Sequence, residues 1–458
     1  MKLIRILCSL IILTGVMLCI IAGCTAKKSD KIPLTTSSQE ALDLFKKGRD
    51  LQERLQFQES RQYFEQAVTK DPDFAMAWLF LSFTEATNKG FFEKLDKAVV
   101  LIDKVSDGEY LWIQGTEAGI NGFPMQQRKL YEKLVELYPN DERAQNLLGI
   151  HYFVQQEWEK SVAYFTRATQ INPNFSQPYN QLGYAHRFLE NYNGAEIAFK
   201  RYIDLIPNDP NPYDSYAELL MKMGRFDESI SYYEKALDQN PNFVASQTGI
   251  ALNLNLKGDY EAARTRLQEL FESARNDAEK RNALFAVTTS YVFEGKMENA
   301  LEALQQQYEI AAATNDVGAM AGDVTTMGSI LIQMGKIKEA GEKYDAAYNL
   351  VQNSDLAPEI KDNNHRNHYY NMARVALYSG AIDEAITKAA EFKAAVEEIK
   401  APLQIKLAHQ LLGMIALEVK DWETALTELK QSATDFNPFN FYRMGLAYQG
   451  LGDIEKAR

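Results

Sequence analysis

The chain has 458 residues, of which 46% are hydrophobic and 11% aromatic, and it carries a formal charge of −13. This length exceeds what one hydrophobic core of ordinary size organises, so several domains or an array of repeats are expected. Affinity for nucleic acid comes largely from Lys and Arg side chains that neutralise phosphates. The balance of 49 Lys+Arg against 62 Asp+Glu therefore argues against nucleic acid as a partner.

The first residues predict an export signal. Lys2 and Arg5 give the segment a positive start, and residues 6–23 contain no charged side chain. A stretch of this length is also compatible with a short transmembrane anchor, which needs about 20 apolar residues. Residues 21–24 read Ile-Ala-Gly-Cys, which resembles the lipobox of bacterial lipoproteins.

The lipobox resemblance implies a signal peptide over residues 1–23, cleavage before Cys24, and acyl chains (including palmitate) on the new N-terminal residue. The protein would then be a lipoprotein of the cell membrane or outer membrane that faces the periplasm or the exterior. Cys8 and Cys19 lie in the removed segment, so the mature chain would hold neither a disulfide framework nor a thiol nucleophile. Residues 24–39 are polar and predict a flexible tether.

A repeat begins after the tether. Prolines 139, 173, 207 and 241 are equally spaced, and similar side chains recur between them. One interval holds Leu148-Gly149, Tyr152, Trp158, Ser161, Phe165 and Ala168, and the next holds Leu182-Gly183, Tyr192, Ala195 and Phe199. This period of about 34 residues resembles the tetratricopeptide repeat, with its pattern W-x2-L-G-x2-Y, A-x3-F and P.

The resemblance implies an all-α fold, a right-handed superhelical solenoid of about twelve helix-turn-helix repeats. Repeats of this regular period are expected over residues 40–270 and repeats of longer period over residues 271–458. In the second region, a turn glycine followed five residues later by Ala recurs as Gly295/Ala300, Gly335/Ala340 and Gly380/Ala385. The last repeat is incomplete at Arg458, so we expect the native chain to continue.

Small residues in the repeats predict close helix crossings. A glycine inside a helix costs about 1 kcal/mol, so Gly149 and Gly183 are expected where a neighbouring helix leaves no room for a side chain. Ser161 and Ala195 are expected to face them, and Trp158 and its equivalents to fill the adjoining core. The prolines should end the second helix of each repeat, because they disfavour helical geometry in the preceding residue.

The sequence offers no recognisable catalytic motif. His186 and His409 occupy slots where other repeats carry apolar residues, and core packing is expected for both. His365 and His368 stand three apart near a predicted helix start, but no acidic or Cys companion in a metal-binding motif lies nearby. We therefore expect no enzyme activity, no catalytic residues, no metal and no cofactor.

In the tetratricopeptide family, the first helix of each repeat lines a concave groove. The register of this sequence predicts that the groove contains Asn146, Ile150, Phe153, Asn180, Tyr184, Arg187, Phe188, Asp214 and Glu218. This mixture of aromatic and amide side chains suits a protein or peptide partner. The expected function is a lipid-anchored scaffold of the cell envelope that mediates protein–protein interactions. The alternatives are a glycan-binding helical-repeat lipoprotein and the non-catalytic part of a longer enzyme.

Overall fold

The computed structural model describes residues 30–85, 87–432 and 439–457. Within these ranges the chain is built from 24 α-helices arranged as twelve antiparallel pairs, and no strand is found. Each pair is one repeat. The predicted all-α solenoid of about twelve repeats is confirmed, whereas the signal peptide and Cys24 lie outside the described residues.

The helices of the first six repeats are short and regular. They are α1 (Gln39–Gln52), α2 (Phe57–Lys70), α3 (Ala75–Ser82), α4 (Asn88–Val100), α5 (Asp107–Ile120), α6 (Pro124–Leu137), α7 (Glu142–Val154), α8 (Trp158–Ile171), α9 (Gln177–Phe188), α10 (Tyr192–Leu205), α11 (Pro210–Lys222) and α12 (Phe226–Gln239). Second helices α6, α8, α10 and α12 each end two residues before one of the periodic prolines. The prolines therefore mark the helix ends, as predicted.

Most helices of the later repeats are longer. They are α13 (Val244–Leu256), α14 (Tyr260–Glu272), α15 (Asp277–Glu294), α16 (Met297–Ala313), α17 (Val317–Gln333), α18 (Ile337–Gln352), α19 (Pro358–Tyr378), α20 (Ile382–Glu398), α21 (Pro402–Glu418), α22 (Trp422–Leu429), α23 (Phe439–Gly450) and α24 (Ile454–Ala457). The stretched period after residue 271 comes from this lengthening, which begins at α15. No helix in the described ranges is long and apolar enough to span a bilayer.

The turn inside every repeat except the second contains a described residue with positive φ. The position recurs once per repeat at Gly122, Gln156, Glu190, Gly224 and Gly258, with φ between 55° and 86°. Later repeats carry Gly295, Gly335, Gly380 and Lys420 at the same place. Glycine adopts this left-handed geometry without the strain that a Cβ causes. The periodic glycines of the sequence therefore have a backbone role.

Glycines inside first helices mark close crossings, as predicted. A Cβ built on Gly149 would lie 2.6 Å from the Phe165 ring, and one on Gly183 would lie 2.4 Å from the Phe199 ring. The crowding partner is thus a buried aromatic ring of the second helix. The expected small partners Ser161 and Ala195 are fully buried in the same interfaces, one turn earlier in that helix.

The predicted flexible tether is wrong for its described part. Residues 31–38, which we call the strap, lie extended against the ends of α3, α5 and α7. Ile32 and Leu34 pack onto the core of the first four repeats. Because main-chain and side-chain groups of the strap are hydrogen-bonded to the body, this segment is part of the fold.

The solenoid curls until distant repeats touch. Gln56 Nε2 donates a 2.6 Å hydrogen bond to Asp209 Oδ2, which joins the first repeat to the sixth. Asn88 donates to both carboxylate oxygens of Asp316, through its backbone N and its Nδ2, each at 3.0 Å. These contacts close the concave side of the array into separate cavities.

Candidate functional site

A cavity of about 640 Å³ lies on the concave side of repeats four to seven. Six of the predicted groove residues line it: Phe153, Asn180, Tyr184, Arg187, Phe188 and Asp214. The first helices α7, α9 and α11 present these side chains toward one side, as their common register requires. The other three predicted groove residues, Asn146, Ile150 and Glu218, do not line this cavity.

Aromatic side chains form one wall of this cavity. Phe188 stacks on Trp158 at a centroid distance of 4.4 Å and meets the edge of Phe153 at 5.7 Å. The Arg187 guanidinium lies 4.9 Å from the centroid of Phe188. Trp158 itself is buried, so these rings combine packing between repeats with a face toward the cavity.

Tyr184 and Arg187 meet on one carboxylate of the next repeat. The Tyr184 hydroxyl donates to Glu218 Oε2 at 2.6 Å, and Arg187 Nη1 donates to Glu218 Oε1 at 2.8 Å. Burial, and then the charges of Glu218 and Asp214, raise the pKa of Tyr184 well above its ordinary value. The Tyr184 side chain is therefore fixed by packing and hydrogen bonding and remains a neutral donor.

Polar side chains join successive first helices below the aromatic wall. Asn146 Nδ2 donates to Gln177 Oε1 at 2.9 Å, and Asn180 Nδ2 donates to Asn211 Oδ1 at 3.3 Å. In the next repeat, the Ser246 hydroxyl donates to Asp214 Oδ1 at 2.7 Å. This polar row explains why buried amides recur from one repeat to the next on the concave side.

Asp214 is the most perturbed carboxylate of the row. Burial, reinforced by the charge of Glu218, raises its pKa to about 7, although the Ser246 hydroxyl opposes the shift. Glu218 lines a second, smaller cavity of about 310 Å³ that Asp214 also borders. Ile150 is partly buried, packs against the cluster around Phe165 and lines neither of these two cavities.

Two buried polar atoms beside the 640 Å³ cavity lack a hydrogen-bond partner. They are Oδ1 of Asn180 and Nε of Arg187. Buried polar groups in proteins are nearly always paired, so these two atoms are exceptions that lie beneath the cavity surface.

The far wall of the cavity was not foreseen from the sequence. It consists of residues 55–59 from the turn of the first repeat, residues 240–245, and residues 275–282, including Arg275. Only the curl of the solenoid brings these segments opposite α9. The repeat period gave no signal for them, because each contact depends on the rotation accumulated over several repeats.

A larger cavity of about 1100 Å³ lies elsewhere, between α4 and the helices α16 to α18. Its lining contains no predicted groove residue, and it includes the Asn88–Asp316 contact between distant repeats. Its size reflects the gap where two turns of the superhelix meet. The 640 Å³ cavity on α7 to α13 contains six of the predicted groove residues and is therefore the better candidate site.

The histidines take other roles. His186 and His409, expected in the core, are partly exposed, and His409 Nδ1 lies 2.6 Å from Glu428 Oε2. His365 contacts the hydroxyls of Tyr348 and Tyr369, each at 3.0 Å. Across the described ranges, no cluster of three or more His, Cys, Asp or Glu side chains is placed to hold a metal.

Sequence models of known families agree with this architecture. Sequence models described as "Tetratricopeptide repeat" match residues 45–84, 115–174, 176–209 and 220–284. The chain therefore contains tetratricopeptide repeats, a scaffold suited to protein–protein interaction. A search of curated proteins returns no match. Among solved structures, the chain is similar to one in "Crystal structure of APC/C hetero-tetramer Cut9-Hcn1", with 13% identity, 95% of this chain and 81% of that chain covered, and a TM-score of 0.43.

Proposed function

We propose that the protein is a non-catalytic scaffold of the bacterial cell envelope that binds an extended segment of a partner protein in the cavity on α7 to α13. We propose further that acyl chains on Cys24 attach it to a membrane. The cavity that gathers six predicted groove residues carries the first part of this proposal. The lipobox-like sequence before Cys24 carries the second.

The composition of the cavity favours a largely uncharged segment. Its two arginines are already paired with carboxylates: Arg187 with Glu218 at 2.8 Å and Arg275 with Glu279 at 2.5 Å. Neither is held free for an acidic ligand, so recognition rests on aromatic contacts and amide hydrogen bonds. Gln181 would bind main-chain groups of the partner, and Phe153 and Phe188 would contact its apolar side chains.

Site-specific cross-linking in intact cells tests the binding site. A photoreactive residue replaces Gln181, which lines the cavity, and a matched control replaces Ile197, which is 63% exposed on second helix α10. We expect a defined envelope protein to be captured from position 181 and not from position 197. Adding Asn242→Glu on the far wall should abolish the capture, because it places an unpaired charge in the cavity.

The opposite pattern would reject the cavity as the site. Capture of the same protein from position 197, or capture from position 181 that persists with Asn242→Glu, would place the interaction elsewhere on the solenoid. Purified variants with unchanged melting temperatures would show that the loss of capture does not arise from unfolding.

The membrane attachment has its own test. Cys24→Ala removes the acyl acceptor and should leave unprocessed precursor or release soluble protein, since two or more chains are needed for stable attachment. Cys19→Ala, five residues earlier, is the matched control and should leave processing unchanged. Normal processing and membrane recovery of the Cys24 variant would contradict lipidation.

A further inference from the structure

The strap is bound by carboxylates at the N-terminal ends of three successive first helices. The backbone N of Ile32 donates to Asp141 Oδ2 at 2.9 Å, at the start of α7. The backbone N of Thr35 donates to Glu109 Oε1 at 2.8 Å, in the first turn of α5. Asp71, in the turn before α3, accepts from the backbone N of Ser37 at 2.7 Å.

Side chains of the strap add to these contacts. Lys31 Nζ donates to the main-chain oxygen of Asn140 at 2.8 Å and also pairs with Glu142. Thr36 Oγ1 donates to Asp71 Oδ2 at 2.6 Å. The strap thus runs from the fourth repeat back to the first, against the order of the repeats, and enters α1 at Gln39.

A departure from the repeat pattern serves the strap. Residues 106–108, Ser-Asp-Gly, stand where other repeats carry the periodic proline. The Ser106 hydroxyl donates to the Pro33 oxygen at 3.1 Å, and its backbone N donates to Thr35 Oγ1 at 3.2 Å. A Cβ on Gly108 would lie 2.8 Å from Ile32 Cγ2, so the glycine leaves room for that side chain. The body therefore carries a site shaped to hold the strap.

The bound strap changes which residue is the first fixed point after a membrane anchor at Cys24. If the chain were first fixed at Gln39, 15 residues would follow Cys24, with a reach of up to about 54 Å. With the strap bound, the first fixed residue is Lys31, and the seven residues from Cys24 reach at most about 25 Å. The fixed end lies beside Asn140, at the N-terminus of α7.

We infer that the strap orients the solenoid on the membrane, so that the edge formed by the N-termini of the first helices around α7 faces the lipid surface. The inference rests on the proposed acylation of Cys24. With the strap bound, this edge stays within the short reach of the anchor, and the turns inside the repeats point away from the bilayer. The concave cavity then opens at a defined height above the membrane.

Energy transfer between single labels and acceptor lipids measures this orientation. Since Cys8 and Cys19 lie in the proposed signal segment and Cys24 is acylated, a cysteine introduced into the lipidated full chain would be its one reactive thiol. One donor is placed by Asn140→Cys beside the strap. The other is placed by Glu190→Cys, an exposed position past the C-terminus of α9, about 18 Å along a helix axis from its first residue.

In vesicles carrying an acceptor lipid, the donor at position 140 should transfer energy about twofold more efficiently than the donor at position 190, since it lies one helix length closer to the bilayer. The substitutions Lys31→Glu, Thr35→Asp and Thr36→Asp place negative charge against Glu142, Glu109 and Asp71 and should release the strap. Transfer from position 140 should then fall to the level of position 190. The control Lys129→Glu with Lys133→Glu makes the same charge change on exposed positions of α6 and should leave both efficiencies unchanged.

Two readouts separate the possible failures. Amide hydrogen exchange at Ile32, Thr35 and Ser37 should be slow in the wild type and fast in the strap variant. Flotation with vesicles reports the anchor: a wild type that does not float would overturn both the acylation and the orientation. A protein that floats, with equal transfer from positions 140 and 190 or with transfer unaffected by strap release, would overturn the orientation alone.

Discussion

Arg143 holds Glu53 through two hydrogen bonds, from Nε to Oε1 at 2.7 Å and from Nη2 to Oε2 at 3.0 Å, although the residues stand 90 positions apart. The pair joins the end of α1 to the start of α7, and both side chains are mostly buried, with 23% and 16% exposed. Although burial acts to lower it, the charge of Glu53 raises the pKa of Arg143. The contact holds the first repeat against the fourth.

A double-mutant cycle of Glu53→Gln and Arg143→Met tests the strength of this contact. The expected coupling free energy is about 1 to 3 kcal/mol, because the two-bond pair is largely buried, although Arg143 keeps Glu142 at 2.8 Å and Glu53 keeps Arg49 at 3.8 Å when the other partner is removed. The control cycle uses Arg225 and Glu228, an exposed pair on adjoining turns at 2.5 Å, and should give less than about 1 kcal/mol. Urea denaturation supplies the free energies. Equal coupling in the two cycles would show that the curl of the array does not depend on the buried pair.

The repeats themselves were predictable from the sequence. Their period follows from chemistry that each repeat needs locally: a proline after one helix, a glycine in the turn, and a small residue at the crossing. Each requirement is met within a single repeat, so the printed sequence contains it. The strap and the contacts of Gln56 with Asp209 were not predictable, since they join segments whose spacing depends on the superhelix.

The close crossing at Gly149 predicts that added side-chain volume destabilises the fourth repeat. Gly149→Ala should lower the free energy of unfolding and Gly149→Leu should lower it further, by about 1 to 3 kcal/mol or more, because the new atoms meet the fully buried Phe165 ring. Gly322 in α17 is the matched control, since a Cβ there would meet nothing within 4 Å. Gly322→Ala should raise stability by about 1 kcal/mol. Melting curves in which both alanine variants rise would contradict the crossing.

The turn inside each repeat predicts opposite effects at two equivalent positions. Glu190 has φ of 55°, and Gly224, at the same place in the next repeat, has φ of 75°. A Cβ in left-handed geometry costs roughly 1 to 2 kcal/mol, so Glu190→Gly should stabilise the protein and Gly224→Ala should destabilise it. A Cβ on Gly224 would meet nothing within 4 Å, so crowding does not enter the comparison. Thermal melts that move in the same direction for both variants would contradict the explanation.

The sequence predicted which side chains of the candidate site face the concave side but not how deeply they pack. The register of α9 placed Tyr184 and Phe188 toward the concave side, because a helix repeats its faces every 3.6 residues. The register does not reveal how deeply such side chains pack, and the structure shows Phe188 stacked on Trp158 and Tyr184 bonded to Glu218. Alanine at these positions would therefore affect stability as well as binding. For this reason Gln181 and Asn242 are the better probes of the cavity.

Asp214 predicts a pH dependence of stability that a single substitution removes. Its pKa is raised from 3.8 to about 7 by burial and by Glu218, so the folded state binds a proton more tightly than the unfolded state. Its contribution to stability is therefore fully present below about pH 4 and is lost as the pH rises from about 4 to 7.

Asp214→Asn stays neutral and can still accept from the Ser246 hydroxyl. At pH 8 the variant should be more stable than the wild type, on the order of 1 to 4 kcal/mol, since one pKa unit corresponds to about 1.4 kcal/mol. At pH 4 the two proteins should differ little. Asp238→Asn, at an exposed position of α12, controls for the loss of one charge and should show no such trend between pH 4 and 8. Chemical denaturation across this range decides the matter, and a stability difference between wild type and Asp214→Asn that does not grow with pH would place the titration of this carboxylate at its ordinary value.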